Sequence, residues 1–127
     1  METNDQKRKD VFDAFGKAIR DFGEAASYVS KTALIDKAMS YPAPRFYVTY
    51  EQARRVISLM HKGFNPRISN PLKLQMYKDI YAKFLVRNGE RKGYQIIRSI
   101  IDNEAPSFYI ERLHFIRLVR ESLKEGC

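Results

Sequence analysis

The segment Ala43-Pro44-Arg45-Phe46-Tyr47-Val48 returns sixty-two residues later as Ala105-Pro106-Ser107-Phe108-Tyr109-Ile110. No other feature constrains the fold as much, because proline fixes its own φ and pushes the preceding residue out of the helical region. Each copy is therefore an extended corner that interrupts any helix. The echo widens on both sides: Ile35, Ala38 and Met39 precede the first copy as Ile97, Ile100 and Ile101 precede the second, and Arg55, Val56 and Ile57 follow as Arg117, Leu118 and Val119 do. Each repeat reads as helix, Ala-Pro-x-Phe-Tyr corner, helix. From an extended backbone the adjacent Phe and Tyr point to opposite sides, so one enters the core and the other stays near the surface. We read the corner as structural, and two such segments are able to pair as a short antiparallel ladder.

Between the corners the apolar spacing is helical. From about residue 6 to 30, Val11, Phe15, Ala18, Phe22, Ala25 and Val29 step by four and three, with Lys17, Arg20, Asp21 and Glu24 largely opposite them. Residues 31–39 continue this helix until Pro42 and Pro44 end it. Gly16 and Gly23 lie seven apart on one face, at a cost in helix propensity, and mark a place of close packing. Thr49 with Gln52 forms a capping box for a second helix over 50–62, which buries Ala53, Val56, Ile57 and Met60 and stops at Gly63. Asn70-Pro71 starts a third, running to about Arg87 over Leu74, Tyr77, Ile80, Tyr81 and Phe84 and closing at Asn88-Gly89. A basic loop over 89–93 leads to Ile96, Ile97, Ile100 and Ile101, whose pairwise spacing predicts a short buried helix although β-branched residues favour strands. Leu113, Ile116, Val119 and Leu123 give a last helix over 110–124.

With 127 residues, 44% of them hydrophobic, and sixteen Phe and Tyr, the chain can bury a core of its own. The expected fold is all-α, one domain of about five helices, with residues 1–40 as an N-terminal amphipathic helix or arm and 41–127 as the helical core. No run of 18 apolar residues occurs, and the polar opening METNDQKRKD does not read as a signal peptide, so a cytoplasmic location is expected. The one cysteine, Cys127, offers neither an internal disulfide nor a cysteine zinc site.

The net charge of +8 is unevenly spread. Residues 1–40 hold seven bases and seven acids; residues 41–101 hold twelve bases and three acids; residues 102–127 hold four bases and five acids. A middle segment at +9 attracts phosphate backbones, anionic lipid or an acidic protein face. The cations placed for such a role are Arg45, Arg54, Arg55, Lys62, Arg67, Lys73 and Lys78, around the second and third helices. Tyr41, Tyr47, Tyr50 and Tyr94, at or outside helix ends, are candidates for stacking on unpaired bases.

The Ala-Pro-Arg-Phe-Tyr corner followed by a helix, together with Lys73-Leu74-Gln75-Met76-Tyr77, resembles small basic proteins encoded in bacterial prophages and other mobile elements that carry Ala-Pro-Arg-Phe-Tyr and a later Lys-x-x-Met-Tyr-like segment. The resemblance spans about residues 41–84 and the second corner. It implies a phage or mobile-element setting and brings no activity and no site residues with it.

Phosphate-cradling glycine loops are absent from the sequence, His61 and His114 have no acidic residue nearby to orient them, and the basic centre offers few acids for a metal. No catalytic residue, metal or cofactor is therefore assigned. The expected function is that of a non-enzymatic basic helical module binding DNA or RNA. The alternative is a structural or assembly protein whose N-terminal helix docks onto a larger protein or a second copy through Phe15 and Phe22. A membrane-surface role for that helix is disfavoured, since its charge is balanced.

Overall fold

Three helices of this chain begin where a side chain takes the first free N–H groups, and two give way at a glycine of positive φ. The computed structural model describes residues 2–87 and 93–125. The long helix expected to reach Pro42 is two helices. The first, α1 (Glu2–Phe22), gives way to a 3-10 turn over Gly23–Ser27, in which Gly23 takes a φ of 61°. The second, α2 (Lys31–Met39), starts behind Ser30, whose hydroxyl accepts from the Ala33 N–H at 3.1 Å. A glycine suited to positive φ and a serine suited to capping override the continuous apolar spacing. Ala25 consequently leaves the stripe and is exposed. The expected close packing at the two glycines is also absent, since Gly23 serves the turn and a Cβ on Gly16 would meet only the end of Arg20 at 3.4 Å.

Two further starts follow their caps. In α3 (Tyr50–His61), Thr49 Oγ1 accepts from the Gln52 N–H at 3.2 Å. The helix closes at Gly63, φ 90°, with Gly63 N donating to Met60 O and Phe64 N to Leu59 O. In α4 (Pro71–Val86), Asn70 Oδ1 accepts from both Leu72 and Lys73 N–H, and Pro71 fills the first position, where its missing donor costs nothing. The stop expected at Asn88-Gly89 and the basic residues Arg91 and Lys92 lie outside the described residues. A 3-10 turn over Gly93–Gln95 leads into α5 (Ile96–Ile101), all four isoleucines of which are buried, and α6 (Arg112–Glu125) ends the described chain. The fold is all-α, with six α-helices among the described residues where about five were expected. No strand or sheet forms among the described residues.

The helices sort into two compact units that cut across the expected division at residue 40. One unit comprises residues 1–43 and 106–127, the other residues 44–105. In the first, α1 packs on α2 and α6, and α6 on α2; in the second, α4 packs on α5 and α3, and α3 on α5. The N-terminal helix is thus a wall of a three-helix unit, completed by the last helix of the chain.

The two units are the same arrangement built twice. Displacing α2 by sixty-two residues gives the 3-10 turn plus α5, and displacing α3 gives the first twelve residues of α6. Burial follows the same offset. Ala14, Phe15 and Ala18 correspond to Met76, Tyr77 and Ile80; Leu34, Ile35 and Ala38 to Ile96, Ile97 and Ile100; Ala43, Phe46 and Val48 to Ala105, Phe108 and Ile110; Ala53 and Ile57 to Phe115 and Val119; every one is buried. The repeat is therefore three helices with the corner before the third, and each unit takes its third helix from the other repeat.

This offset also corrects the register expected for α6. Leu113, expected in the core, is 81% exposed, while Phe115, Leu118 and Val119 face inward. Leu74, Tyr81, Val56 and Met60 are half-buried, and Met76 takes a core place that the sequence reading did not give it. Of the paired aromatics in the corners, Phe46 and Phe108 enter the core and Tyr47 and Tyr109 stay at intermediate exposure. Tyr109 differs from Tyr47 in adopting a φ of 54°, the left-handed region that a bulky side chain rarely occupies.

Candidate polyanion-binding face

Division by structure concentrates the charge as division by sequence did. The unit of residues 44–105 contains twelve bases and five acids, a net +7, and the other unit eleven bases and ten acids, a net +1. Within the basic unit the cations are not equivalent. Arg54, Arg55 and Lys62 project from the exposed side of α3, at spacings of one, seven and eight residues, because the opposite side buries Ala53 and Ile57. They line a groove of about 450 Å³ with Ser58, Leu59, Glu51 and Tyr94. None of the three forms an ion pair among the described residues.

The other expected cations go elsewhere. Arg45 turns to Asp102, Nη2 to Oδ1 3.4 Å, and its Nε donates to the Phe46 carbonyl at 3.4 Å, so its charge is partly taken up beside the corner. Lys78 lines a second groove, of about 370 Å³, with Met60, Phe64, Pro66, Leu74 and Tyr81 among its walls. Arg67 lies on the exposed link before α4 and Lys73 in its first turn, in neither groove. The structure thus brings three of the seven expected cations together, with Lys78 on the neighbouring groove of the same unit.

Of the four tyrosines expected to stack on bases, one has the position for it. The Tyr41 hydroxyl donates to Asp21 and its ring lies beneath Lys17 Nζ at 4.5 Å; burial and the Asp21 carboxylate push its pKa up to about 12. The Tyr50 ring is covered by the Arg98 guanidinium at 4.3 Å. Tyr47 is half-buried in the corner. Tyr94 lines the cationic groove and stacks on the buried ring of Phe84, centroids 5.5 Å apart and planes 8° from parallel. The side chains that sequence reasoning missed are around it. His61 sets its ring edge-on to Tyr94, Tyr81 and Phe84, at 6.4, 6.2 and 5.4 Å, and its Nδ1 lies 3.4 Å from the Tyr81 hydroxyl. Phe64, 62% exposed just past the α3 stop, lines the second groove. An exposed Phe immediately after a glycine stop is the signal that was available.

The expected partner-binding pair divides as well. Phe15 is buried within its own unit, on the floor of a small cavity shared with Ile35, Ile116, Val119 and Leu123, and Phe22 is half-buried. Phe15 is therefore part of the core of its unit, and the large apolar side chains that α1 leaves exposed are Phe12 and Ile19. Among the described residues no three His, Cys, Asp or Glu side chains converge on a metal position, and no helix is long and apolar enough to cross a membrane.

No protein-family model, no curated protein and no solved structure matches this chain.

Proposed function

We propose that the chain is a nucleic-acid-binding module that grips the phosphate backbone with the exposed side of α3. The observation that carries this reading is the convergence of Arg54, Arg55 and Lys62, without carboxylate partners among the described residues, on one groove that also holds Tyr94. Cations that form no ion pair can contact phosphates and so release the counterions condensed on the nucleic acid. The link between α3 and α4, longer than a helix-turn-helix turn, gives no ground for base-specific reading in a major groove. The work of such a module is binding without chemistry, and the phage or mobile-element setting implied by the Ala-Pro-Arg-Phe-Tyr resemblance belongs to the same proposal.

The test is a titration of DNA and RNA over a range of salt. Binding weakens steeply as salt rises, and Arg54→Glu with Arg55→Glu lowers both the affinity and the log–log salt slope, by roughly 0.7 to 0.9 per lost phosphate contact. Retention indifferent to salt, or unchanged in the double variant, overturns the reading.

A further inference from the structure

We propose that the face described above selects unpaired strands over duplex, with Tyr94 and Phe64 as stacking platforms for bases and the α3 cations with Lys78 as phosphate contacts. The inference rests on the nucleic-acid reading and goes beyond it in naming the form of the ligand.

Three observations support it. First, the two grooves of this unit adjoin one another through a single aromatic cluster. Tyr94 lines the first groove, Tyr81 the second, and the His61 ring contacts both. Cations and rings therefore alternate across one surface: Arg54, Arg55 and Lys62 with Tyr94, then His61, then Tyr81, Lys78 and Phe64. Sequence-tolerant binding of single strands uses this combination, because every base has a π-face and every nucleotide a phosphate. A duplex hides its base faces and can use only the cations.

Second, the principal ring is held in place before any ligand arrives. Tyr94 lies nearly parallel to Phe84, which is 2% exposed and belongs to the core. A base stacking on a ring already fixed in this way loses less freedom than one that must order a mobile side chain.

Third, the chain contains its own control. The other unit is the same three-helix arrangement, and the places of Arg54, His61, Lys78, Tyr81 and Tyr94 are taken there by Ile116, Leu123, Gly16, Ile19 and Thr32. Phe22 keeps the place of Phe84. The scaffold forms without the outer rings, so packing of the three helices does not require them. Arg55 and Lys62 keep basic counterparts in Arg117 and Lys124, so what the second unit has and the first lacks is the ring set of His61, Tyr81 and Tyr94 together with Arg54 and Lys78.

The experiment compares an oligothymidine single strand, a duplex of equal length and inorganic polyphosphate, each titrated into the full chain at one low salt concentration. With eight Tyr and no Trp, tyrosine emission reports stacking directly. The single strand binds at least tenfold more tightly than the duplex and quenches this emission, whereas polyphosphate binds without quenching. Phe64→Ala and Tyr94→Leu each weaken the single strand about tenfold and leave duplex and polyphosphate within about twofold. Circular dichroism checks the folding of both, and Phe64→Ala, at an exposed position, carries the test should Tyr94→Leu unfold. Equal affinity for single strand and duplex, or equal losses on all three ligands, overturns the stacking inference and leaves phosphate binding standing. Failure to hold any of the three ligands overturns both.

Discussion

Arg112 places Nη2 2.7 Å from Asp36 Oδ1, joining the first turn of α6 to α2. Sixty-two residues from each of these positions stand Tyr50 and Arg98, and they meet too, with the guanidinium 4.3 Å from the ring centroid. One geometric pair is thus filled by an ion pair in the first unit and by a cation over a ring in the second. In both, one partner comes from each repeat, which makes the exchange of third helices visible at the level of single side chains. The ion pair is exposed and the Tyr50 ring half-buried, so each pair contributes on the order of 0.2–1 kcal/mol. In double-mutant cycles, Asp36→Ala with Arg112→Ala and Tyr50→Ala with Arg98→Ala should give coupling energies of this size, the first shrinking in high salt more than the second. A vanishing coupling in either unit would remove that pair from the account.

Cutting the chain once between the repeats should not separate them. A specific protease site inserted after Arg67, on the link that precedes Asn70, leaves α1, α2 and α3 on one fragment and α4, α5 and α6 on the other, while each unit needs helices from both. After cleavage the fragments should elute together with the mass of one chain and part only in denaturant. Independent elution of two folded fragments in native buffer would show that the repeats are self-sufficient.

The corner phenylalanines should dominate stability. Phe46 is fully buried, its N–H donating to the Ile101 carbonyl at 3.0 Å, and Phe108 stands edge-on to Phe115 with centroids 5.8 Å apart. Phe46→Ala and Phe108→Ala should each cost about 3–5 kcal/mol by chemical denaturation, whereas Leu113→Ala, at an exposed position, should stay within about 0.5 kcal/mol. A cost at Leu113 equal to that at Phe46 would contradict the register of α6.

His114 supplies a pH dependence. Burial, then the charges of Lys7 and Arg117, hold its pKa below the usual 6.5, against the opposing influence of Glu121 and Glu111. A histidine harder to protonate when folded binds more protons when unfolded, so its contribution to stability is complete above pH 6.5 and declines as pH falls toward the folded value. The melting temperature of the wild type should therefore drop more between pH 7 and pH 5 than that of His114→Gln. Parallel curves for the two proteins would show that His114 titrates alike in both states.

Much of this was legible from residue types and spacings, because the relevant physics is local. Prolines at 42, 44 and 106 excluded helix from the corners, and Thr49 and Asn70 announced helix starts with side chains that reach the next free N–H groups. The twofold Ala-Pro-x-Phe-Tyr motif, the surplus of cations between residues 41 and 101 and the all-α class followed from the sequence alone. Local signals compete, however, and Gly23 with Ser30 prevailed over an unbroken apolar stripe that periodicity extended too far.

Tertiary structure decided what depends on residues distant along the chain. Whether Leu113 or Phe115 faces inward is fixed by α1 and α2, and that α6 completes the N-terminal unit is a matter of packing between segments some ninety residues apart. The same holds for the surface. The sequence supplied seven candidate cations, but only the folded chain shows Arg54, Arg55 and Lys62 sharing a groove with Tyr94 while Arg45 turns to Asp102. Charge is a sum over composition and survives any fold, whereas a binding face is a set of distances, and distances between remote residues exist only once the helices have packed.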